Sequence, residues 1–201
     1  MLQATGATQD VTIIGYSMGG GEAARYMSRY GGRGVTKIGL YASIVPGMLQ
    51  TADNPAGHTP ADYQDIVLGI EHDAAAFFRH TFLPPFYGKG IKALVGATHA
   101  ASNDVVEAAV NYALMNGMRA LRAMPHNFTF GDFKDDIPAI TVPTLIVHGT
   151  EDQPAPIDAT ARRAHKMIAG SQLIEHEGYP HSFYATNSDQ MIADTLAFLQ
   201  Q

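Results

Sequence analysis

The sequence predicts an α/β fold, a mostly parallel sheet with helices on both of its faces. Three observations point there. Short β-branched apolar runs alternate with segments of helical period. Glycine or proline punctuates most of the junctions. Hydrophobic residues make up 46% of 201 residues, enough for one packed domain carrying an insert.

The first run, Val11-Thr-Ile-Ile-Gly15, is bounded by Asp10 and reads as a buried strand. A helix over 18–30 follows, with Ala23, Tyr26, Met27 and Tyr30 on one face, and Gly31-Gly-Arg-Gly34 stops it. Residues 35–43 read as a second strand with Ile38, Leu40 and Tyr41 as its apolar body. Residues 46–137 break the alternation. They hold two helical segments, 61–82 and 103–124, among proline- and glycine-rich pieces such as Leu83-Pro-Pro-Phe-Tyr-Gly88. That stretch reads as a helical cap above the sheet, not a separate domain, so the core comprises 1–45 and 138–201. Thr144-Leu-Ile-Val-His148 is a third strand, with Pro143 tolerated at its start. A helix over 156–169 opens on a proline and ends at Gly170. Residues 171–176 form a fourth strand. A final helix over 188–199 places Ile192, Leu196 and Leu199 on one face, with Asn187 and Gln190 as a capping pair.

The formal net charge is −6 and no basic run exists, so nucleic-acid binding has no electrostatic support. The absence of cysteine excludes disulfides, thiolate metal sites and a cysteine nucleophile, and fits a cytoplasmic protein. Residues 1–10 do not have a signal-peptide pattern, and no apolar run approaches the ~20 residues that span a bilayer.

The chemistry centres on Gly15-Tyr-Ser17-Met-Gly19. This G-x-S-x-G pattern lies between a predicted strand and a predicted helix, as a nucleophile elbow requires. The expectation is a serine on a strained turn, flanked by glycines because a side chain two residues away on either side would strike backbone. The helix N-terminus supplies N–H groups where negative charge develops, and Met18 offers the first. A serine hydroxyl needs a base. His181, in the loop Glu177-Gly-Tyr-Pro-His181 after the last strand, is the candidate; His148 and His176 are its competitors. Asp152, in the turn after the third strand, is the carboxylate that would orient the base, with Glu151 and Asp158 as rivals. The order Ser17, Asp152, His181 is that of an α/β-hydrolase. No histidine pair has metal-ligand spacing within a shared acidic cluster, so no metal is expected.

The segments 15–26, 132–149, 151–154 and Glu177-Gly-Tyr-Pro-His-Ser-Phe183 resemble the bacterial non-haem, cofactor-free haloperoxidases, also called perhydrolases or arylesterases, within the α/β-hydrolase superfamily. The resemblance runs from about Asp10 to the C-terminus and is weakest in the cap. It implies the C-terminal part of the α/β-hydrolase fold with a helical cap insert. It implies a serine esterase that also makes peracids from a carboxylic acid and hydrogen peroxide, with no metal or organic cofactor. Small apolar acyl or aryl esters are the expected substrates. Tyr16, Phe82 and Phe86 are candidate substrate contacts, and the cap's aromatic residues read equally as pocket lining or as the cap's own core.

Relatives carry further βα units before the elbow, which here falls at residue 17. On the order of 80 residues would be missing, at roughly 30 per βαβ unit. The second oxyanion donor would belong to that part, and the strand from Val11 to Gly15 would become an open edge. Three readings stay open: an esterase completed by a partner or by local loops, most simply an edge-to-edge homodimer through that strand; a weakly active or inactive truncated fragment; and an interaction protein that retains an old triad.

Overall fold

The structure, a computed structural model, describes residues 4–90 and 99–201. Residues 91–98 of the expected cap lie outside the described residues. Four strands, β1 (Val11–Tyr16), β2 (Val35–Tyr41), β3 (Thr144–Gly149) and β4 (Gln172–His176), form one parallel sheet in the order β1-β2-β3-β4. Parallel neighbours need crossovers, so every connection carries helix.

All six residues of β3 are buried, as both faces of a central strand should be. Helix α1 (Met18–Tyr30) crosses one face and packs Ala24 and Met27 against Ile38, Leu40 and Ile146. It ends on Gly31 in the left-handed conformation, φ 61°. Tyr30, expected on the buried face, is instead 68% exposed, its ring 5.4 Å from that of Tyr26. Arg25 pins the helix to the 3-10 turn Lys134–Ala139, with Nε and Nη2 donating to Asp136 Oδ2 at 3.1 and 2.9 Å.

Between β2 and β3 lie α2 (Pro60–Phe77), a π-helical turn (Phe78–Phe82), a 3-10 turn (Pro84–Tyr87), α3 (Asn103–Leu114) and α4 (Met118–Phe130). The expected helix over 61–82 is therefore two pieces, with non-helical backbone at Asp73, φ −158°, inside the first. The expected helix over 103–124 is also two. Residues 115–117 turn between them, and Gly117 sits at the N-cap of α4 in extended conformation. A glycine inside a helical pattern marks such a break at little penalty. Ile70, Phe78, Val110 and Leu121 form a core internal to these helices, while Phe128 joins Ile44, Met48 and Ala155 to bind them to the sheet layer.

Past β3, the helix expected from 156 begins only at Ala161, as α5 (Ala161–Met167). Residues 156–160 close as turns instead, with Thr160 Oγ1 donating to Pro156 O at 2.9 Å. Two short elements finish the chain, α6 (Phe183–Thr186) and α7 (Ser188–Leu199). Asn187 precedes α7 but makes no capping bond, and Gln190 reaches Asp194 at 2.9 Å, so the expected capping pair does not form. The face of α7 that packs carries Met191 and Phe198; Ile192, Leu196 and Leu199 are 50, 52 and 41% exposed. No described helix is long and apolar enough to cross a membrane.

Candidate active site

The carboxyl ends of parallel strands gather the loops of this fold on one edge of the sheet, where ligands bind in open α/β sheets. Ser17 follows β1 directly. Its backbone is in the left-handed region, φ 54° and ψ −121°, a strained conformation for a side-chain-bearing residue. The strain is held from three sides. Ser17 N–H donates to Tyr41 O at 2.9 Å, and Ser17 O accepts from Gly20 N at 3.1 Å and Ile44 N at 3.3 Å.

The flanking glycines behave differently from expectation. A Cβ at Gly15 would lie 2.6 Å from Gly20 Cα, against backbone that cannot yield. A Cβ at Gly19 would meet nothing within 4 Å. The tight packing falls instead on Gly20, against Ser43, and on Gly21, against the Phe133 ring. The first glycine of the motif is thus a packing requirement, and the second is not.

The structure brings the three sequence-predicted catalytic residues into one line. His181 Nε2 is 3.0 Å from Ser17 Oγ, and His181 Nδ1 is 2.7 Å from Asp152 Oδ2. Asp152 is 4% and His181 3% exposed. Asp152 Oδ1 accepts a second hydrogen bond, from Ala155 N at 2.7 Å. Burial alone would push this carboxyl up, but the charge of His181 and the hydrogen bonds from His148 and His181 outweigh it and hold it at about 2. An ionised Asp152 accepts from Nδ1–H, which leaves Nε2 unprotonated and facing the serine hydroxyl. That arrangement can take the serine proton as the oxygen attacks.

The rivals are engaged elsewhere. Asp158 pairs with Arg162 at 2.9 Å, and His176 with Asp194 at 2.6 Å. His148 is fully buried, as its strand position suggested, but its surroundings hold more than apolar packing: Nε2 lies 3.0 Å from Asp152 Oδ2. Sequence reasoning missed this contact. Its only signal was the spacing of four residues between His148 and Asp152.

The base loop is laced to its neighbours. Glu151 N donates to Tyr179 O at 3.1 Å, Gly178 N to Thr150 Oγ1 at 2.9 Å, and Ser182 N to Phe86 O at 2.8 Å. Tyr16, expected to touch substrate, does not face the pocket. Its hydroxyl donates to the backbone carbonyl of His181, and its ring packs on Phe183 and Tyr184 at 5.5 and 5.2 Å. Alternation along β1 sends the side chain at 16 under the base loop while the elbow turns Ser17 outward. Burial of this phenol raises its pKa far above the ordinary value.

Met18 occupies the first position of α1, where a backbone N–H has no intrahelical partner. It is the position at which the sequence pointed to an oxyanion donor.

Phe86 stands edge-on to the His181 ring, with centroids 4.9 Å apart and planes at 87°. It forms one wall of a cavity of about 330 Å³ lined also by Ile66, Phe77, Phe82, Phe128 and Gln153. Phe82 stacks on Phe77 at 5.7 Å and meets Phe86 at 5.1 Å. Both expected phenylalanines therefore line a chamber beside the base, and they also serve as core of the cap.

Comparison with known proteins places the fold in a family. A family model described as the alpha/beta hydrolase family matches residues 2–194. The chain is 31% identical to the non-heme haloperoxidase of Rhodococcus erythropolis over 196 residues, covering 96% of this chain and 68% of that protein. It is 29% identical to the bifunctional esterase/perhydrolase DCH of Acinetobacter calcoaceticus, covering 96% and 68%. The crystal structure of bromoperoxidase from Bacillus anthracis superposes with a TM-score of 0.90 at 27% identity, over 100% of this chain and 70% of that one. The chain thus spans about two thirds of the length of these relatives. A strand-to-helix elbow with a strained serine, a parallel sheet that carries Asp152 after β3 and His181 after β4, and these similarities lead to one conclusion: the chain belongs to the alpha/beta hydrolase family, beside its non-haem haloperoxidase and esterase members.

Proposed function

We propose that the protein is a serine hydrolase of small carboxylic esters that works through an acyl-enzyme on Ser17, with peracid formation as a second activity. The observation that carries this reading is the unbroken line from Asp152 through His181 to Ser17, at 2.7 and 3.0 Å. In the first half-reaction Ser17 Oγ attacks the ester carbonyl and passes its proton to His181 Nε2. The Met18 N–H steadies the oxyanion, and the alkoxide leaves with the proton from His181. In the second half-reaction water, activated by the same nitrogen, releases the acid. Hydrogen peroxide in place of water gives the peracid, with Ser17 restored in either case; released peracid would oxidise halide away from the protein. The esterase/perhydrolase relative supports including the second route. The chamber walled by Phe77, Phe82 and Phe86 suits an apolar acyl or aryl group.

The truncated-fragment and interaction-module readings have less support, since all three triad members and one oxyanion donor lie within this chain. A cytoplasmic setting is part of the proposal, and the cysteine-free composition is compatible with it. An edge-to-edge homodimer through β1 remains part of the proposal. β1 is hydrogen-bonded to one neighbouring strand, and Ile14 on it is 45% exposed.

A fluorophosphonate probe tests the central claim. Labelling is expected at Ser17 and should vanish in Ser17→Ala and His181→Ala, with p-nitrophenyl acetate turnover falling in step. A folded wild-type chain that neither labels nor turns over ester would sink the hydrolase reading.

A further inference from the structure

Asp152 serves two imidazoles, not one. Behind it, His148 Nε2 lies 3.0 Å from Asp152 Oδ2 and 2.8 Å from Ala155 O. Both neighbours are acceptors, so a lone pair on Nε2 would face oxygen on two sides. The proton must sit on Nε2 and is shared between them. The other ring nitrogen, Nδ1, is buried with no hydrogen-bond partner among the described residues. A proton there would have no acceptor, so the geometry selects the neutral Nε2–H form. A fully buried polar ring with one nitrogen orphaned is unfavourable by itself and calls for a reason.

We propose that His148 is a positioning residue of the triad: its Nε2–H fixes the Asp152 carboxylate from behind and disperses part of its charge. Two effects follow. The first is geometric. With Ala155 N–H on Oδ1 and His148 on Oδ2, the carboxylate cannot rotate about its bond to Cβ, so Oδ2 stays aimed at His181 Nδ1. The second is electrostatic. A carboxylate that accepts an additional N–H is a weaker partner for an imidazolium. His148 therefore limits how strongly Asp152 holds His181 in its protonated, catalytically idle form. The other titratable groups facing this pair are Tyr16 from β1, His181 itself, and Glu175 from β4. Tyr16 is committed to the His181 carbonyl. Glu175 is committed to Arg162 at 2.6 and 2.9 Å, and Asp158 shares that arginine.

The proposal rests on the triad reading and is tested by His148→Leu and His148→Gln in the full chain, with pH profiles of kcat and kcat/KM on p-nitrophenyl acetate. The leucine variant fills the space without the donor. Its kcat is expected to fall about 10-fold or more while KM stays within about twofold, as for a slightly misaimed catalytic group. Its acid limb in kcat/KM should move to higher pH, because the imidazolium at 181 gains an undivided carboxylate. The glutamine variant returns an N–H and should recover both the limb and most of kcat. A leucine variant whose acid limb coincides with the wild type overturns the proposal, as does a glutamine variant no better than leucine. Histidine nitrogen NMR on the wild-type chain needs no variant to fold: the Nε2–H tautomer at His148 supports the proposal, and the Nδ1–H tautomer defeats it. A wild-type chain without Ser17-dependent turnover defeats the hydrolase reading itself, an outcome distinct from an active enzyme indifferent to His148.

Discussion

On one side of the sheet β3 is buried at all six residues and paired with a strand on each flank; on the other β1 pairs with β2 alone and leaves Ile14 45% exposed. Asp152 and His181 hang from the first side, and Ser17 from the second. Asp152 accepts hydrogen bonds on both of its oxygens, and the loop bearing His181 is tied to the acid loop, to the elbow through Tyr16 and to the cap through Phe86. The turn at Ser17 is held by backbone hydrogen bonds to Tyr41 at the end of β2, to Ile44 just beyond it and to Gly20. The half that carries Asp152 and His181 is secured by side-chain as well as backbone hydrogen bonds, and single substitutions can remove the side-chain ones. The nucleophile half is secured by close backbone packing, which fails only when volume is added.

That contrast gives an ordered set of substitutions. Asp152→Asn keeps the shape of the acid–base half but reverses the donor pattern at His181 Nδ1, so the base presents the wrong tautomer. The expected loss in kcat is roughly three to four orders of magnitude, with little change in melting temperature, read by ester turnover and thermal denaturation. A loss below about tenfold would show that the acid is not aligned as described. Gly15→Ala acts on the other half. It forces a methyl against the Gly19–Gly20 backbone and should destabilise the fold by about 2 kcal/mol or more, whereas Gly19→Ala has open space and should stay within about 0.5 kcal/mol of the parent. Equal effects from the two would remove the distinction drawn between the motif's glycines. The smallest effect belongs to the open edge. Ile14→Ser should change monomer stability by no more than about 0.5 kcal/mol, and should lower the dimer fraction in light scattering if β1 is the contact. A dimer that persists unchanged places the contact elsewhere.

Strand positions were legible because runs such as Val11-Thr-Ile-Ile and Thr144-Leu-Ile-Val carry both propensity and burial in one short word. Helix α1 was legible to the residue, since the elbow fixes its start and Gly31 its end. The α5 start was misjudged because Pro156 and the residues after it suit a first helical turn, yet the acid loop takes them for turns that present Ala155 N–H and O to Asp152 and His148. The exposed face of Ile192, Leu196 and Leu199 shows the limit of periodicity: it finds a stripe but not what the stripe meets. Tyr16 was misassigned for a related reason. Its place in the motif is local, but the target of its hydroxyl lies 165 positions along the chain.

By itself the sequence determined the fold class, the three residues Ser17, Asp152 and His181 that the fold brings together, and the elbow that strains the serine. These depend on local rules, namely alternation, turn chemistry and residue type. Only the tertiary structure decided that His148 stands behind Asp152, that Tyr16 ties down the base loop, and that Gly15 rather than Gly19 is the tight glycine. Each of these is set by distances between segments that meet only after the sheet has assembled, and no pattern along one strand or helix encodes such a distance.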